Sequence, residues 1–268
     1  MAYFFNHNHR LFYREEGNGE LFIIIPGNTA SSFHSKKDLH FFSRYFHAVS
    51  FDLWGTGNSD RLLHWPLDWW EQGAHDAVSL ADHLGYEKII LLGYSGGGYA
   101  ALITGAMYPK RVKAVITDSC IEKNDFSDAI LGREISITKI IKQETSLAAV
   151  LNRMAAIPVM VAFWSAAHGK DWRQVVQADS EFLMAVGQYG YRPLAGKLNQ
   201  IVCPVLLTAS LADPLLQNVE NTLIKMKAQI NTCDVFLAAE GGHPLCWSKP
   251  AVFRQAVMAF LNSMDDER

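Results

Sequence analysis

The stretch Gly93-Tyr94-Ser95-Gly96-Gly97 puts one serine at the apex of a glycine-flanked turn. Lys88-Ile-Ile-Leu-Leu precedes it and the apolar segment Tyr99–Met107 follows, so the turn is expected to join a strand to a helix. A serine in that position projects its hydroxyl above the sheet edge. Glycines two residues to either side keep side chains out of the neighbouring strand and helix. Five-residue G-x-S-x-G matches are common by chance, and the flanking strand and helix give this one its weight. The implied chemistry is nucleophilic attack by Ser95 on a carbonyl carbon.

A serine hydroxyl is a weak nucleophile at neutral pH, so it needs a base, and the base needs an orienting acid. Of the ten histidines, His243 stands out. Glu240-Gly241-Gly242-His243-Pro244 follows a predicted strand and precedes the last helix, and its two glycines allow a loop that carries an imidazole over the sheet edge. The other nine fall in the N-terminal hairpin, in helix patterns or in loops, where surface or structural roles are expected. The acid should end another strand, and Asp213 fits, after Val205-Leu-Leu-Thr-Ala-Ser210 and before Pro214. Asp before Pro is also a common helix cap, and Asp118, ending the strand after the serine's helix, is the alternative acid. The order Ser95, Asp213, His243 favours Asp213.

A tetrahedral intermediate needs two donors aimed at its oxygen. The N–H of Gly96, opening the helix after Ser95, is one. The other is expected from Pro26-Gly27-Asn28-Thr29, with the N–H of Asn28 as the candidate, although a plain turn uses the same residue types. A third loop, Asp52-Leu-Trp54-Gly55-Thr-Gly57-Asn-Ser59, lacks the third glycine of a dinucleotide fingerprint and reads as a support for the oxyanion turn. Trp54, Tyr94 and Trp164 are the candidate substrate contacts, with a packing role the favoured reading for Trp54.

These residues need a parallel sheet to hold them. Short β-rich runs alternate with amphipathic segments, the pattern of βαβ units. Strands are predicted at Leu21–Pro26, Ala48–Asp52, Lys88–Gly93, Val112–Asp118, Val205–Ser210 and Asp234–Ala238, after an antiparallel hairpin at Ala2–Asn6 and Leu11–Glu15. Helices are predicted at Lys36–Tyr45, Trp69–Leu84, Ser95–Tyr108, Pro214–Ala228 and Lys249–Met264. The alternation breaks between about Ile121 and Gln200, an aromatic-rich helical stretch read as an insertion across the top of the sheet. The expected domains are therefore a core of residues 1–120 and 201–268 and a helical cap of residues 121–200.

Composition narrows the partners. The chain has 268 residues, 49% hydrophobic and 19% charged, with net charge −3 and mean hydropathy +0.02. No basic cluster suits nucleic acid or an acidic membrane, and no apolar run reaches a membrane span's length. The N-terminus lacks a signal-peptide pattern. Four cysteines without C-x-x-C spacing read as buried thiols in a reducing cytoplasm, and no metal is expected. The expected partner is a small-molecule substrate acting on a monomer or homodimer.

The Pro26–Asn28 turn, the D-x-x-G-x-G-x-S loop from Asp52 to Ser59, Gly93–Gly97, the Asp213 turn and Gly-Gly-His243 together resemble the α/β-hydrolase family across nearly the whole chain. That resemblance implies an α/β-hydrolase fold, a mostly parallel twisted sheet with helices on both faces and a cap. It also implies Ser95, Asp213 and His243 as triad, Asn28 and Gly96 as oxyanion donors, and no cofactor. One departure is visible: many members have His-Gly where Pro26-Gly27 stands. Within the family a serine argues against epoxide or halide chemistry, which uses a carboxylate. The chain is similar to small capped esterases of the valacyclovir-hydrolase, biphenyl-hydrolase-like kind. Esters are the implied targets, with lactones, C–C bonds beside a carbonyl, and amides as alternatives, and the apolar, aromatic insertion points to small to medium, hydrophobic substrates. An amidase would need an acid for the substrate's ammonium, and Glu122, Asp125, Asp128, Asp171, Asp179 and Glu181 are available, although helix acids are usually solvated. A non-catalytic ligand-binding protein on the same fold is the remaining alternative.

Overall fold

The computed structural model describes residues 2–122, 157–216 and 218–266. Its described strands form one sheet in the order β1-β2-β4-β3-β5-β6-β7-β8. The hairpin β1 (Ala2–Asn6) and β2 (His9–Glu16) is antiparallel, and β2 pairs antiparallel with β4 (His47–Phe51). The remaining strands, β3 (Leu21–Ile25), β5 (Ile89–Tyr94), β6 (Val112–Asp118), β7 (Val205–Ser210) and β8 (Cys233–Ala238), run parallel. Every residue of β3, β5 and β7 is buried, which accounts for their continuous apolar runs: helices cover both faces of a parallel sheet.

One face packs against α1 (Lys36–Phe42) and the last helix, α8 (Pro250–Asp266), through a cluster that includes Phe22, Ile24, Phe42, Leu92 and Phe253. The other packs against α2 (Trp69–His83), α3 (Gly96–Met107) and α6 (Val219–Lys227) through Ile23, Ile25, Leu91, Trp69, Leu102 and Leu223. Each fully buried Ile or Leu contributes roughly 1.5–3 kcal/mol of transfer free energy. The four cysteines are buried free thiols.

Two element boundaries differ by more than two residues from the sequence expectation. The helix after Asp213 starts only at Val219, because the Leu215 N–H bonds back to Asp213 Oδ1 and Asn218 is left-handed (φ 48°), conformations that do not continue a helix. Helix α1 ends at Phe42 rather than Tyr45. The expected final helix is α8, and a separate short helical turn, α7 (Leu245–Ser248), precedes it.

The stretch read as a helical insertion is described from Ile157 on. That described part contains α4 (Pro158–His168), a 3-10 turn (Gly169–Asp171), α5 (Trp172–Gln188) and a second 3-10 turn (Leu198–Gln200). The inner face of α5 carries Trp172, Val175, Val176, Asp179, Phe182 and Val186, a three- and four-residue spacing. Phe182 packs edge-on against Trp69 and Trp70 of α2, joining α5 to the core cluster.

Candidate active site

Strand β5 runs directly into Ser95, whose φ of 48° and ψ of −120° lie outside the regions open to ordinary L-residues. Such a conformation costs on the order of 1–3 kcal/mol and persists only where the surroundings hold it. Here the Ser95 N–H donates to the Asp118 carbonyl at 2.7 Å, and the Ser95 carbonyl accepts from Gly98 N–H at 2.9 Å. A Cβ at position 93 would run into the Gly97 carbonyl, and one at position 97 into the Ile25 carbonyl. Both flanking glycines are therefore required by backbone atoms that cannot move aside.

The loop after β8 brings His243 over this turn. Its Nε2 lies 2.9 Å from Ser95 Oγ and its Nδ1 2.9 Å from Asp213 Oδ2. A carboxylate only accepts, so Nδ1 carries the proton and Nε2 is left to accept the serine's. Asp213 is 1% exposed, with Oδ1 on Leu215 N–H and Oδ2 on the imidazole. The carboxyl thus orders its own turn as well as the ring, and the helix that it was weighed as capping begins six residues later.

Asp118 has other partners. Its Oδ2 accepts from Cys246 N–H at 2.7 Å and its Oδ1 from the Thr208 hydroxyl at 3.0 Å, while Ser119 Oγ accepts from Leu245 N–H. Strand end β6 thus pins the backbone just beyond His243. Burial pushes the Asp118 carboxyl up to about 6.

The second loop at the site is a tight turn, closed by Ala30 N–H on the Gly27 carbonyl at 3.1 Å. A Cβ at Gly27 would come within 2.9 Å of the Tyr94 carbonyl, so this turn abuts the Ser95 elbow. The Asn28 side chain lies across the Cα of Gly96, where any Cβ would overlap it, and the Asn28 backbone nitrogen is 3.2 Å from that Cβ position. The two nitrogens expected as oxyanion donors therefore sit on adjoining segments. The glycine loop braces the turn: Asp52 accepts from Ser32 N–H at 2.6 Å and Asn58 N–H at 2.7 Å.

A family description, the alpha/beta hydrolase family, matches residues 22–256. The chain belongs to the alpha/beta hydrolase family. Human serine hydrolase BPHL is 35% identical over 115 residues, which is 40% of this chain and 38% of that protein. The chain thus aligns with well under half the length of that relative. Epoxide hydrolase 4 of Mus musculus is 23% identical over 265 residues, covering 90% of this chain and 72% of that protein. Among solved structures, a serine hydrolase from the polyaromatic-hydrocarbon-degrading bacterium Cycloclasticus zankles superposes with a TM-score of 0.78 at 16% identity, covering 98% of both chains. A likeness at that identity is one of fold.

On this alpha/beta hydrolase scaffold the residues expected to touch substrate take other places. Tyr94 is corrected: it is 1% exposed and donates its hydroxyl to Asp38 Oδ2 at 3.0 Å, because the alternation of β5 places it with Ile90 and Leu92 in the cluster under α1 and α8. Trp164 is corrected too, being 3% exposed and stacked on Trp172 inside a small apolar cluster with Val176. The Trp54 ring stacks face to face on His9 of the hairpin at 4.2 Å and its carbonyl accepts from Trp69 Nε1, which is a packing role. Among the described residues no group of three or more His, Cys, Asp and Glu is placed to hold a metal, and no helix is long and apolar enough to cross a membrane.

Three residues between the end of α4 and the middle of α5 bind the loops around Ser95, a role that sequence reasoning did not assign to them. His168 accepts from Gly57 N–H through Nδ1 (2.9 Å) and donates Nε2–H to the Thr29 carbonyl (3.0 Å), and burial lowers its pKa to about 4. Asp171 pairs with both nitrogens of the Arg61 fork, and Arg61 also donates to the His168 carbonyl. Asp179, grouped above with solvated helix acids, is 5% exposed and accepts from Asn28 Nδ2 at 2.6 Å. Its position in the buried stripe between Val175–Val176 and Phe182 was the available signal. Asp125 and Asp128 lie outside the described residues.

Proposed function

We propose that this alpha/beta hydrolase is a serine hydrolase that cleaves carboxylic esters of small to medium, largely apolar substrates. The observation carrying the reading is the continuous line Ser95 Oγ, His243 Nε2, His243 Nδ1, Asp213 Oδ2, with both contacts at 2.9 Å. His243 takes the Ser95 proton as Oγ attacks the carbonyl carbon, and Asp213 stabilises the imidazolium that results. The N–H groups of Asn28 and Gly96 receive the charge on the oxygen, a contribution of roughly 3–4 kcal/mol per donor. His243 then protonates the leaving alcohol, and water attacks the acyl-serine by the same route in reverse.

The names of similar proteins, serine hydrolase and esterase among them, support ester chemistry. Epoxide hydrolase 4 aligns over most of the chain, but opening an epoxide through a covalent ester would need a carboxylate in place of Ser95. The apolar preference is supported by an aromatic group beside the His243 loop: His34 stacks on Phe163 of α4 at 3.9 Å, and Trp247 lies 5.7 Å from each. Helices α4 and α5 serve in this reading as the cap. The test is hydrolysis of a p-nitrophenyl ester series from acetate to decanoate, with Ser95→Ala as control. A rate that peaks at one chain length and disappears in the variant is expected. Failure of wild-type protein both to hydrolyse any member and to be labelled at Ser95 by a fluorophosphonate would refute the reading.

A further inference from the structure

The turn that carries Asn28 is itself strained. Thr29, a β-branched residue, sits at φ 54°, a left-handed value that such residues rarely adopt. Neighbours must hold a turn of this kind in shape. The core supplies Trp70: its Nε1–H donates to Asn28 Oδ1 at 3.1 Å. Because an indole N–H only donates, this contact fixes which end of the amide is oxygen and turns Nδ2 towards α5. There Asp179 Oδ1 receives it at 2.6 Å, across 151 residues of sequence. The amide is therefore gripped at both ends, by the core on one side and by α5 on the other. It lies directly over Gly96.

Asp179 is a costly residue to keep in that place. It lies in the apolar stripe of α5, and among the described residues no cationic side chain offsets its burial. The Asn28 amide is the one group that favours its charged form, against a burial that pushes the carboxyl up to about 7. A leucine in that stripe would avoid the desolvation cost. Among the described residues, the acid's one side-chain hydrogen bond is with the residue that is expected to supply an oxyanion donor.

We propose that Asp179 is a positioning residue for the oxyanion hole: by holding the Asn28 side chain against Trp70 it keeps the Asn28 backbone N–H beside Gly96, so that docking of α5 completes the site. This rests on the serine-hydrolase reading above. The part that matters is the acceptor oxygen. Without it the amide is held at one end, the strained turn relaxes, and the N–H no longer points where negative charge develops. Ground-state substrate makes little use of that donor, so the loss falls on the transition state.

The experiment measures two quantities for each protein: the rate constant for phosphonylation of Ser95 by a fluorophosphonate probe, and kcat and KM on the best p-nitrophenyl ester. Asp179→Ala is expected to lower both the labelling rate and kcat by about 10- to 100-fold, less than outright loss of a donor, with KM within about twofold. Asp179→Asn keeps an acceptor oxygen and should retain activity within about fivefold. In an Asn28→Ala background, adding Asp179→Ala should change nothing further, because the acid acts only through that side chain. Asp171→Ala loosens the same helices from Arg61 without touching residues 27–30 and separates loosened docking from loss of the grip. Thermal melts identify any variant that fails to fold, in which case Trp70→Phe, which frees the other end of the amide, must show the same selective loss in kcat.

Additive effects of Asp179→Ala and Asn28→Ala would overturn the proposal. So would equal losses in Asp171→Ala and Asp179→Ala, a rise in KM matching the fall in kcat, or an Asp179→Asn variant as poor as the alanine. Wild-type protein that labels normally alongside an Asp179→Ala variant that labels equally well removes the proposal and leaves the serine-hydrolase reading standing. Wild-type protein that fails to label removes both.

Discussion

The sheet edge around Ser95 and the helices α4 and α5 above it are organised on different principles. At the edge, function-bearing atoms are fixed by backbone: the elbow at φ 48°, the Asp118 carbonyl on the Ser95 N–H, and glycines at 93 and 97 that no other residue could replace. The helices meet that edge through isolated side chains, His168 on Gly57 and Thr29, Asp171 on Arg61, and Asp179 on Asn28. The first arrangement is rigid and its local sequence is tightly constrained. The second is seated on the core by apolar side chains such as Phe182 and reaches the edge through a few polar contacts, each of which can be removed without disturbing a strand, and is therefore the part that can be tuned.

The largest expected effect tests whether chemistry resides at the edge alone. Ser95→Ala should lower ester turnover by on the order of 10⁴-fold or more, with a melting temperature close to the parent's, because alanine adds no atom at the elbow. A variant that keeps more than a few per cent of activity would mean that the reacting group lies elsewhere, with the helices as the next place to look.

Next in size is a test of backbone constraint. Gly97→Ala places a methyl group against the Ile25 carbonyl, and Gly93→Ala places one against the Gly97 carbonyl. Neither carbonyl can withdraw, since both belong to the packed strand–turn–helix unit. A loss of about 3 kcal/mol or more is expected from either change, read as a fall in urea midpoint. A loss below about 1 kcal/mol would show that the edge yields, and would erase the contrast with the helices.

What could be read from sequence follows the same division. The strand–turn–helix around Ser95, the Asp213 turn and the Gly-Gly-His243 loop are each encoded within a few consecutive residues, and their chain order supplies the rest. The parallel strands announce themselves as apolar runs because helices bury both faces. The contacts from α4 and α5 span 107 to 151 residues, and no local pattern encodes such pairings. Aromatic residues misled for a related reason. Tyr94 adjoins Ser95 in sequence, yet the alternation of a strand sends it into the cluster under α1 and α8. Trp164 lies in the right segment, but its helix turns it inward onto Trp172. Asp179 was legible only as an acid out of place in an apolar stripe, a sign of a buried partner that does not say which.

The smallest predicted effects are pH slopes, and they sharpen the comparison because the helices carry two buried titratable groups of opposite sense. His168 is held neutral, its pKa lowered by burial to about 4 from 6.5. Between those values the unfolded chain binds more protons than the folded one, so the group's contribution rises with pH and is lost as pH falls from 6.5 to 4. Asp179 has its pKa raised by burial to about 7 from 3.8. Across that window the folded chain binds more protons, so its contribution is present at low pH and is lost as pH rises through 7. At about 1.4 kcal/mol per pH unit at most, the two slopes oppose each other between pH 4 and 6.5 and largely cancel in the parent protein. Single substitutions should expose them. Relative to the parent, His168→Gln should lose stability more steeply as pH rises through that interval, and Asp179→Asn should gain it. Differences in urea midpoint at pH 4, 5, 6 and 7 isolate each group from the other titrating residues, Asp118 and His34 among them. Both variants running parallel to the parent would mean that water reaches these side chains and that the helices sit more loosely on the edge than their contacts imply. Divergence in the two stated directions would make the helix–core seam, rather than the triad, the pH-sensitive part of the molecule.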